Sequence, residues 1–164
     1  LNLMPVTLFR IDDRLIHGQV VEAWVPHLRA DEIVVVSDEI ASDEVRRTIM
    51  RFSTPEGVGL RILGSADALD YLNGAAGAGN TLVLFPGLKE AAEMISRGLK
   101  IGSLNIGGMH YSAGKNVSIG KAIFLSEEDC GHLKFISRAG IEVEGRGVPT
   151  DKPINLMEAI KQDG

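Results

Sequence analysis

The residues of this chain best suited to chemistry crowd a short run near its start: Arg10, Asp12, Asp13, Arg14, His17 and Gly18. His17 is an imidazole, and an ordinary pKa of roughly 6.5 leaves its neutral, nucleophilic form abundant near pH 7. Arg10 and Arg14 are permanent cations whose planar forks grip phosphate or carboxylate oxygens at two points. Asp12 or Asp13 can orient an arginine or the histidine ring. Phosphoryl transfer asks for in-line positioning and for cancellation of charge on the equatorial oxygens, more than for covalent help. Two guanidiniums, with backbone amides at a helix start such as that of Gly18, supply that cancellation without a metal ion. A plainer description also fits: a histidine beginning a helix beside a solvated cluster of ion pairs. On residue types alone, the segment is an anion site of open purpose.

The surrounding pattern shows what must hold it. Short β-branched runs at 6–11, 33–37, 60–63, 81–85, 104–106, 122–125 and 141–148 read as strands. Helix-length amphipathic stretches lie between most of them. Ser42 is expected to cap a helix running to about residue 52, and Ser65 one through residue 72. Ser126 with Asp129 three positions on makes an acid-ended capping box, and Gly98 and Gly140 stand where helices end. A first helix should start between His17 and Gln19, carry Val20, Val21, Trp24 and Leu28 inward, and end or kink at Pro26. Strand alternating with helix implies an α/β fold: an open, mostly parallel sheet of about seven strands with helices on both faces. Its length suits one domain over residues 1–164. In such sheets ligands bind beyond the carboxyl ends of strands, which is where the Arg10-to-Gly18 turn falls.

Composition narrows the function. A net charge of −5 gives no general attraction to nucleic acid or anionic lipid. No run approaches the roughly 18 apolar residues of a membrane span, and residues 1–6 lack the basic lead of a signal peptide. One cysteine, Cys130, precludes an internal disulfide framework, fits a reducing compartment and reads as a small buried apolar residue. His17, His27, His110 and His132 show no zinc spacing, so no metal is expected. The Gly/Ala-rich segment 74–80 precedes a strand instead of following one and reads as a turn, and no phosphate-cradling GxxxxGK[ST] occurs. No cofactor is therefore expected.

The run RIDDRLIHGQV at 10–20 resembles the signature of the enzyme IIB component of the mannose/fructose/sorbose class of the bacterial phosphotransferase system. The resemblance continues through IVVVSDEIASDE at 33–44, LNIGGMH at 104–110, GIEV at 140–143 and VP at 148–149, in the family's order. It implies a phosphotransferase whose histidine, here His17, takes a phosphoryl group from a IIA component. The group then passes to a sugar imported through membrane-embedded IIC and IID components, so the chain would be cytoplasmic and peripheral to the permease. Carried over residue by residue, His17 is the nucleophile, Arg14 grips phosphate, and Arg10 and Asp12 support it. Asn105, Gly107 and Gly108, on a loop after another strand, would face the same crevice and let amides approach the anion; His110 is read as loop surface.

Two other classes compete. A receiver-type signalling domain also carries paired acids after its first strand, but needs an aspartate ending strand three and a lysine after strand five. Here those places hold Leu63-Gly64-Ser65 and Ile106-Gly107-Gly108. A passive anion-binding module would hold an anion at the same turn and transfer nothing. The cargo sugar, the oligomeric state and the reacting nitrogen of His17 are left open.

Overall fold

Unbroken apolar runs, rather than alternating ones, mark strands covered on both faces. Glu32–Val36 and Thr81–Phe85 are of this kind, and every residue of the second is buried. The computed structural model describes residues 6–74 and 79–162. Its strands are β1 (Leu8–Asp12), β2 (Glu32–Val36), β3 (Gly59–Leu63), β4 (Thr81–Phe85), β5 (Ser103–Gly108), β6 (Val117–Ile119), β7 (Ile123–Leu125), β8 (Glu142–Gly145) and β9 (Ile154–Asn155). The main sheet has seven strands in the order β3-β2-β4-β1-β5-β8-β9. All its pairings are parallel except β8 with β9.

The helices are α1 (Val25–Leu28), α2 (Asp38–Ala41), α3 (Glu44–Ser53), α4 (Ser65–Asn73), α5 (Leu88–Ser96), α6 (Glu127–Arg138) and α7 (Leu156–Gln162). Successive strand residues face opposite ways, and this splits the core in two. Val34, Val36, Val83, Phe85, Phe9 and Ile11 join side chains of α4 to α7 on one face. Ile33, Val35, Leu82 and Leu84 join Leu15, Val20, Trp24 and Ile40 on the other. Because Phe9 and Ile11 take the first face, Arg10 and Asp12 must take the second, alongside Trp24. The same alternation in β5 sends Leu104 and Ile106 to the first face and leaves Asn105 and Gly107 facing Arg10.

Several expectations shift by a residue or a partner. The run at 122–125 does form a strand, but β7 pairs antiparallel with β6 outside the main sheet, and β9 takes the seventh place. The run at 141–148 stops pairing at Gly145, because the next two carbonyls turn toward Arg10. Asp43, not Ser42, caps α3 by accepting from the Arg46 amide, whereas Ser42 closes α2. The capping box of Ser126 and Asp129 is present at α6. Residues 75–78 of the segment expected to turn lie outside the described residues.

The first helix carries the most telling departure. Val20–Trp24 is a π-helical turn, closed by the Val25 amide donating to the Val20 carbonyl, before α1 begins with Pro26 in its first turn. A proline ring strikes the carbonyl four residues back in a regular helix and brings no N–H. Widening the preceding turn gives the ring room. Arg29, at φ 50°, then ends the helix left-handed.

Candidate functional site

The loop between β1 and the first helix is short and tightly held. The Leu15 amide donates to the Asp12 carbonyl at 3.0 Å, and the Arg14 amide to Asp12 Oδ1 at 3.1 Å. Leu15 sits at φ 56°, a left-handed conformation that costs a leucine on the order of 1–2 kcal/mol. Burying Leu15 and Ile16, 3% and 8% exposed, offsets that cost and pins the loop to the core. His17 follows directly, its carbonyl accepting from the Val21 amide at 2.9 Å.

The ring of His17 is thereby aimed at Asp12. His17 Nε2 lies 2.8 Å from Asp12 Oδ2, and the same oxygen accepts from Arg10 Nη2 at 3.1 Å. Carboxylate oxygens accept, so this contact favours the tautomer with the proton on Nε2 and the lone pair on Nδ1. Nδ1 has no hydrogen-bond partner among the described residues. The side chain is 15% exposed, neither surface decoration nor core.

Behind Asp12 lies a buried polar floor. Arg10 is wholly enclosed; its Nη1 donates to Asn105 Oδ1 and to the Arg146 carbonyl, and its Nη2 also to the Gly147 carbonyl at 3.0 Å. Its Cζ lies 4.8 Å from the centre of the Trp24 ring, and Trp24 Nε1 donates to the Gly147 carbonyl at 2.8 Å. Asn105 Nδ2 in turn donates to Glu144, which also accepts from Arg146. Burial pushes the Arg10 guanidinium below its ordinary pKa, and the Asp12 charge and hydrogen bond push back. Removing either partner would strand a charge away from water.

This geometry redistributes the expected phosphate contacts. Arg10, Asp12 and Asn105 are at most 1% exposed and bonded together through Arg10 beneath His17, so none of the three side chains reaches the surface where an anion would sit. Gly107 and Gly108 belong to β5 itself rather than to a loop after it. A Cβ at Gly107 would collide with the Arg10 guanidinium, and one at Gly108 would press within 3.3 Å of Asp12 Oδ1. Close approach is therefore what these glycines permit, but the group approaching is the buried floor rather than an external anion. Arg14 and Gly18 are the expected residues that face outward. Arg14 is exposed and has no ion-pair partner among the described residues, and open space surrounds Gly18 at the first turn of the helix.

Asp13 has its own task. It accepts from the His110 backbone amide at 2.7 Å and meets His110 Nδ1 at 2.6 Å, stapling the loop after β1 to the chain after β5. His110 is half exposed, as a loop-surface residue should be, but it is not idle. Trp24, Glu144, Arg146 and Gly147 were missed in the sequence. The one available signal was Trp24 itself, since a buried indole N–H requires an acceptor. Its acceptor lies 123 positions away.

The parallel α/β sheet carries a carboxylate-oriented histidine beyond its first strand, at the mouth of an open doubly wound fold where such folds take their ligands. The sequence model described as the PTS system sorbose subfamily IIB component matches residues 6–164, and the chain belongs to that family. It is 36% identical over 98% of its length to the PTS system mannose-specific EIIAB component of Escherichia coli strain K12, of which it spans about half, 50%. It is 33% identical to the sorbose-specific EIIB component of Klebsiella pneumoniae, covering 97% of each chain. The crystal structure of the IIBSor domain of the Klebsiella pneumoniae sorbose permease matches with a TM-score of 0.89 at 33% identity, covering 98% of this chain and 99% of that one. The N-acetylgalactosamine-specific IIB component 1 of Escherichia coli matches with a TM-score of 0.84 at 28% identity, over 90% and 97%.

Proposed function

We propose that this chain, acting as one unit over residues 1–164, accepts a phosphoryl group on His17 Nδ1 from a phosphohistidine of a IIA component and passes it to a sugar. The observation that carries the reading is the 2.8 Å contact of His17 Nε2 with a carboxylate braced by a buried arginine. That contact fixes the ring's tautomer and orientation, as carboxylates do for catalytic histidines elsewhere. The Nδ1 lone pair attacks phosphorus in line, the P–N bond of the donor breaks, and its electron pair returns to the donor ring. Arg14 and the first amides of the helix at Gly18 offset charge on the equatorial oxygens during the passage.

Phosphorylation leaves the His17 ring cationic, with its proton still on Nε2. Asp12, paired below with Arg10, stabilises that cation through a charge-assisted hydrogen bond. In the second transfer a sugar hydroxyl oxygen attacks phosphorus, the P–Nδ1 bond breaks with its pair returning to the ring, and the hydroxyl proton leaves to solvent. The sugar is presented by membrane IIC and IID components, and the chain works at their cytoplasmic face. No helix of the described residues is long and apolar enough to cross a membrane. No metal, cofactor or nucleic acid enters the scheme.

The test incubates the protein with phosphoenolpyruvate, the general carrier proteins and a matching IIA, then maps the label. Acid-labile, base-stable label on His17, absent from His17→Ala, supports the carrier. Label on an aspartate points to a receiver domain, and an unlabelled protein to a passive anion-binding module; either result overturns the reading.

A further inference from the structure

The small sheet of β6 and β7 stands outside the main one, and the transfer chemistry makes no direct use of it. What it holds is the chain leaving β5. The Met109 amide donates to the Ala122 carbonyl and the Phe124 amide to the Met109 carbonyl, both at 2.9 Å. Met109 is buried, and Tyr111 meets Phe124 edge-on with ring centres 5.8 Å apart. His110 therefore sits between two residues fixed to that hairpin.

From this footing His110 reaches the loop after β1. The Asp13 amide donates to the Gly108 carbonyl at 3.0 Å, Asp13 Oδ2 accepts from the His110 amide at 2.7 Å, and Oδ1 lies 2.6 Å from His110 Nδ1. Carboxylate oxygens accept, so the ring contact favours a proton on Nδ1. These bonds carry the contact of β1 with β5 one residue beyond the last paired position, Asp12 with Gly108. Asp13 lies between the two residues on which the site turns. Before it is Asp12, whose carboxylate meets His17 Nε2 and the Arg14 amide; after it is Arg14, whose side chain is exposed. Next comes Leu15 at φ 56°, a conformation that persists only where its surroundings impose it. Buried Leu15 and Ile16 hold one end of the loop, and Asp13 holds the other.

Stability alone gives little reason for this pair. The Asp13 and His110 side chains are 32% and 49% exposed, and ion pairs so open to water contribute little to folding. Two contacts from one carboxylate to one residue fix direction instead. We infer that Asp13 and His110 are positioning residues, an outer brace that holds Arg14 and His17 in register for phosphoryl transfer, with the β6–β7 hairpin as its footing. The inference rests on the carrier reading above and adds two residues to it that touch neither phosphorus nor His17.

The test follows single-turnover acceptance by the full chain from phosphorylated IIA, giving a saturating rate and a half-saturating IIA concentration. Asp13→Ala should lower the saturating rate about 10- to 100-fold, as a misplaced reacting group does. Its half-saturating concentration should stay within about twofold of native, because binding of IIA is not what is lost. Its unfolding temperature should stay within about 5 °C of native. Hydrogen exchange at the Leu15 amide should quicken about tenfold or more as the loop loosens. His110→Ala keeps the amide contact, loses the ring contact and should slow acceptance by about tenfold. His110→Asn, whose Nδ2 can stand where the imidazole Nδ1 stands, should restore the native rate. Native rates in Asp13→Ala or His110→Ala overturn the inference. So does a raised half-saturating concentration at an unchanged rate, which would make Asp13 a contact of IIA, and so does a collapse of the unfolding temperature, which would make the pair a stability contact. A slower rate without faster exchange, or one that His110→Asn fails to restore, overturns it as well, since the ring would then act otherwise than by position. A native protein that takes no label on His17 sinks the carrier reading and the brace together; a labelled native protein with indifferent variants sinks the brace alone.

Discussion

The floor of the His17 site and its rim are built from the same short segment and behave as opposites. Arg10 and Asp12 form the floor; they are closed off from water and tied to β5, to the loop after β8 and to Trp24. Arg14 and Gly18 form the rim, where the Arg14 side chain is exposed without an ion-pair partner among the described residues and a side chain at Gly18 would meet only open space. Between the two sits His17, bonded below and open above. The difference teaches that two arginines four positions apart need not share a role. Period-two alternation carries Arg10 inward on β1, and the end of that strand releases Arg14 to the surface. A buried cation is committed to the groups around it; an exposed one is free to meet a ligand.

Breaking the floor should cost the most. Arg10→Met leaves the Asp12 carboxylate buried without its partner and should lower stability by about 3–5 kcal/mol in denaturant unfolding. Loss of phosphorylation would follow from lost structure. A protein as stable as the native one would show that Arg10 is not the brace of Asp12. Gly107→Ala drives a methyl group into the Arg10 guanidinium and should cost about 1–3 kcal/mol by the same measurement. An unchanged midpoint would mean that the guanidinium can move aside.

The rim should answer differently. Arg14→Ala ought to leave thermal unfolding within about 0.5 kcal/mol of native. Its rate of phosphoryl acceptance should fall by the equivalent of about 2–4 kcal/mol of transition-state stabilisation. Normal transfer by this variant would erase the division between floor and rim.

The smallest effect lies away from both. Burial raises the Asp129 carboxyl pKa, but its bonds with Lys115 and Ser126 more than reverse this, and the net shift is downward. A depressed folded pKa means stability present above the unfolded value of about 3.9 and lost as pH falls through the folded one. Acid titration of unfolding free energy should therefore show an Asp129→Asn variant losing less stability than native on acidification below about pH 4, by roughly 1 kcal/mol or less. Identical acid limbs would remove Asp129 from the acid response.

Much of this could be read without coordinates. The strands of the parallel sheet announce themselves as β-branched runs, and the capping box at Ser126 and Asp129 is a local signal locally fulfilled. His17 and its neighbours were visible because one turn holds them all. The floor was not, because its partners come from β5, the loop after β8 and the first helix, between 95 and 137 positions from Arg10 where hydrogen bonds join them. Sequence spacing carries no record of such closure. The same limit hid the reason for Gly107: a glycine beside a candidate anion site invites an anion reading, and only packing shows a guanidinium in the space. Pro26 marks from the sequence a place where the helix ends or kinks, yet the π-helical form of the turn before it depends on where the Val25 amide finds a carbonyl.

The account stands on which nitrogen of His17 reacts. With the protein labelled with 15N at histidine and phosphorylated through its IIA donor, phosphorus–nitrogen coupling identifies the bonded atom directly. Phosphorus on Nδ1, with Nε2 retaining the proton it gives to Asp12, is the predicted result. Phosphorus on Nε2 would require the Asp12 bond to break before transfer and would contradict the mechanism.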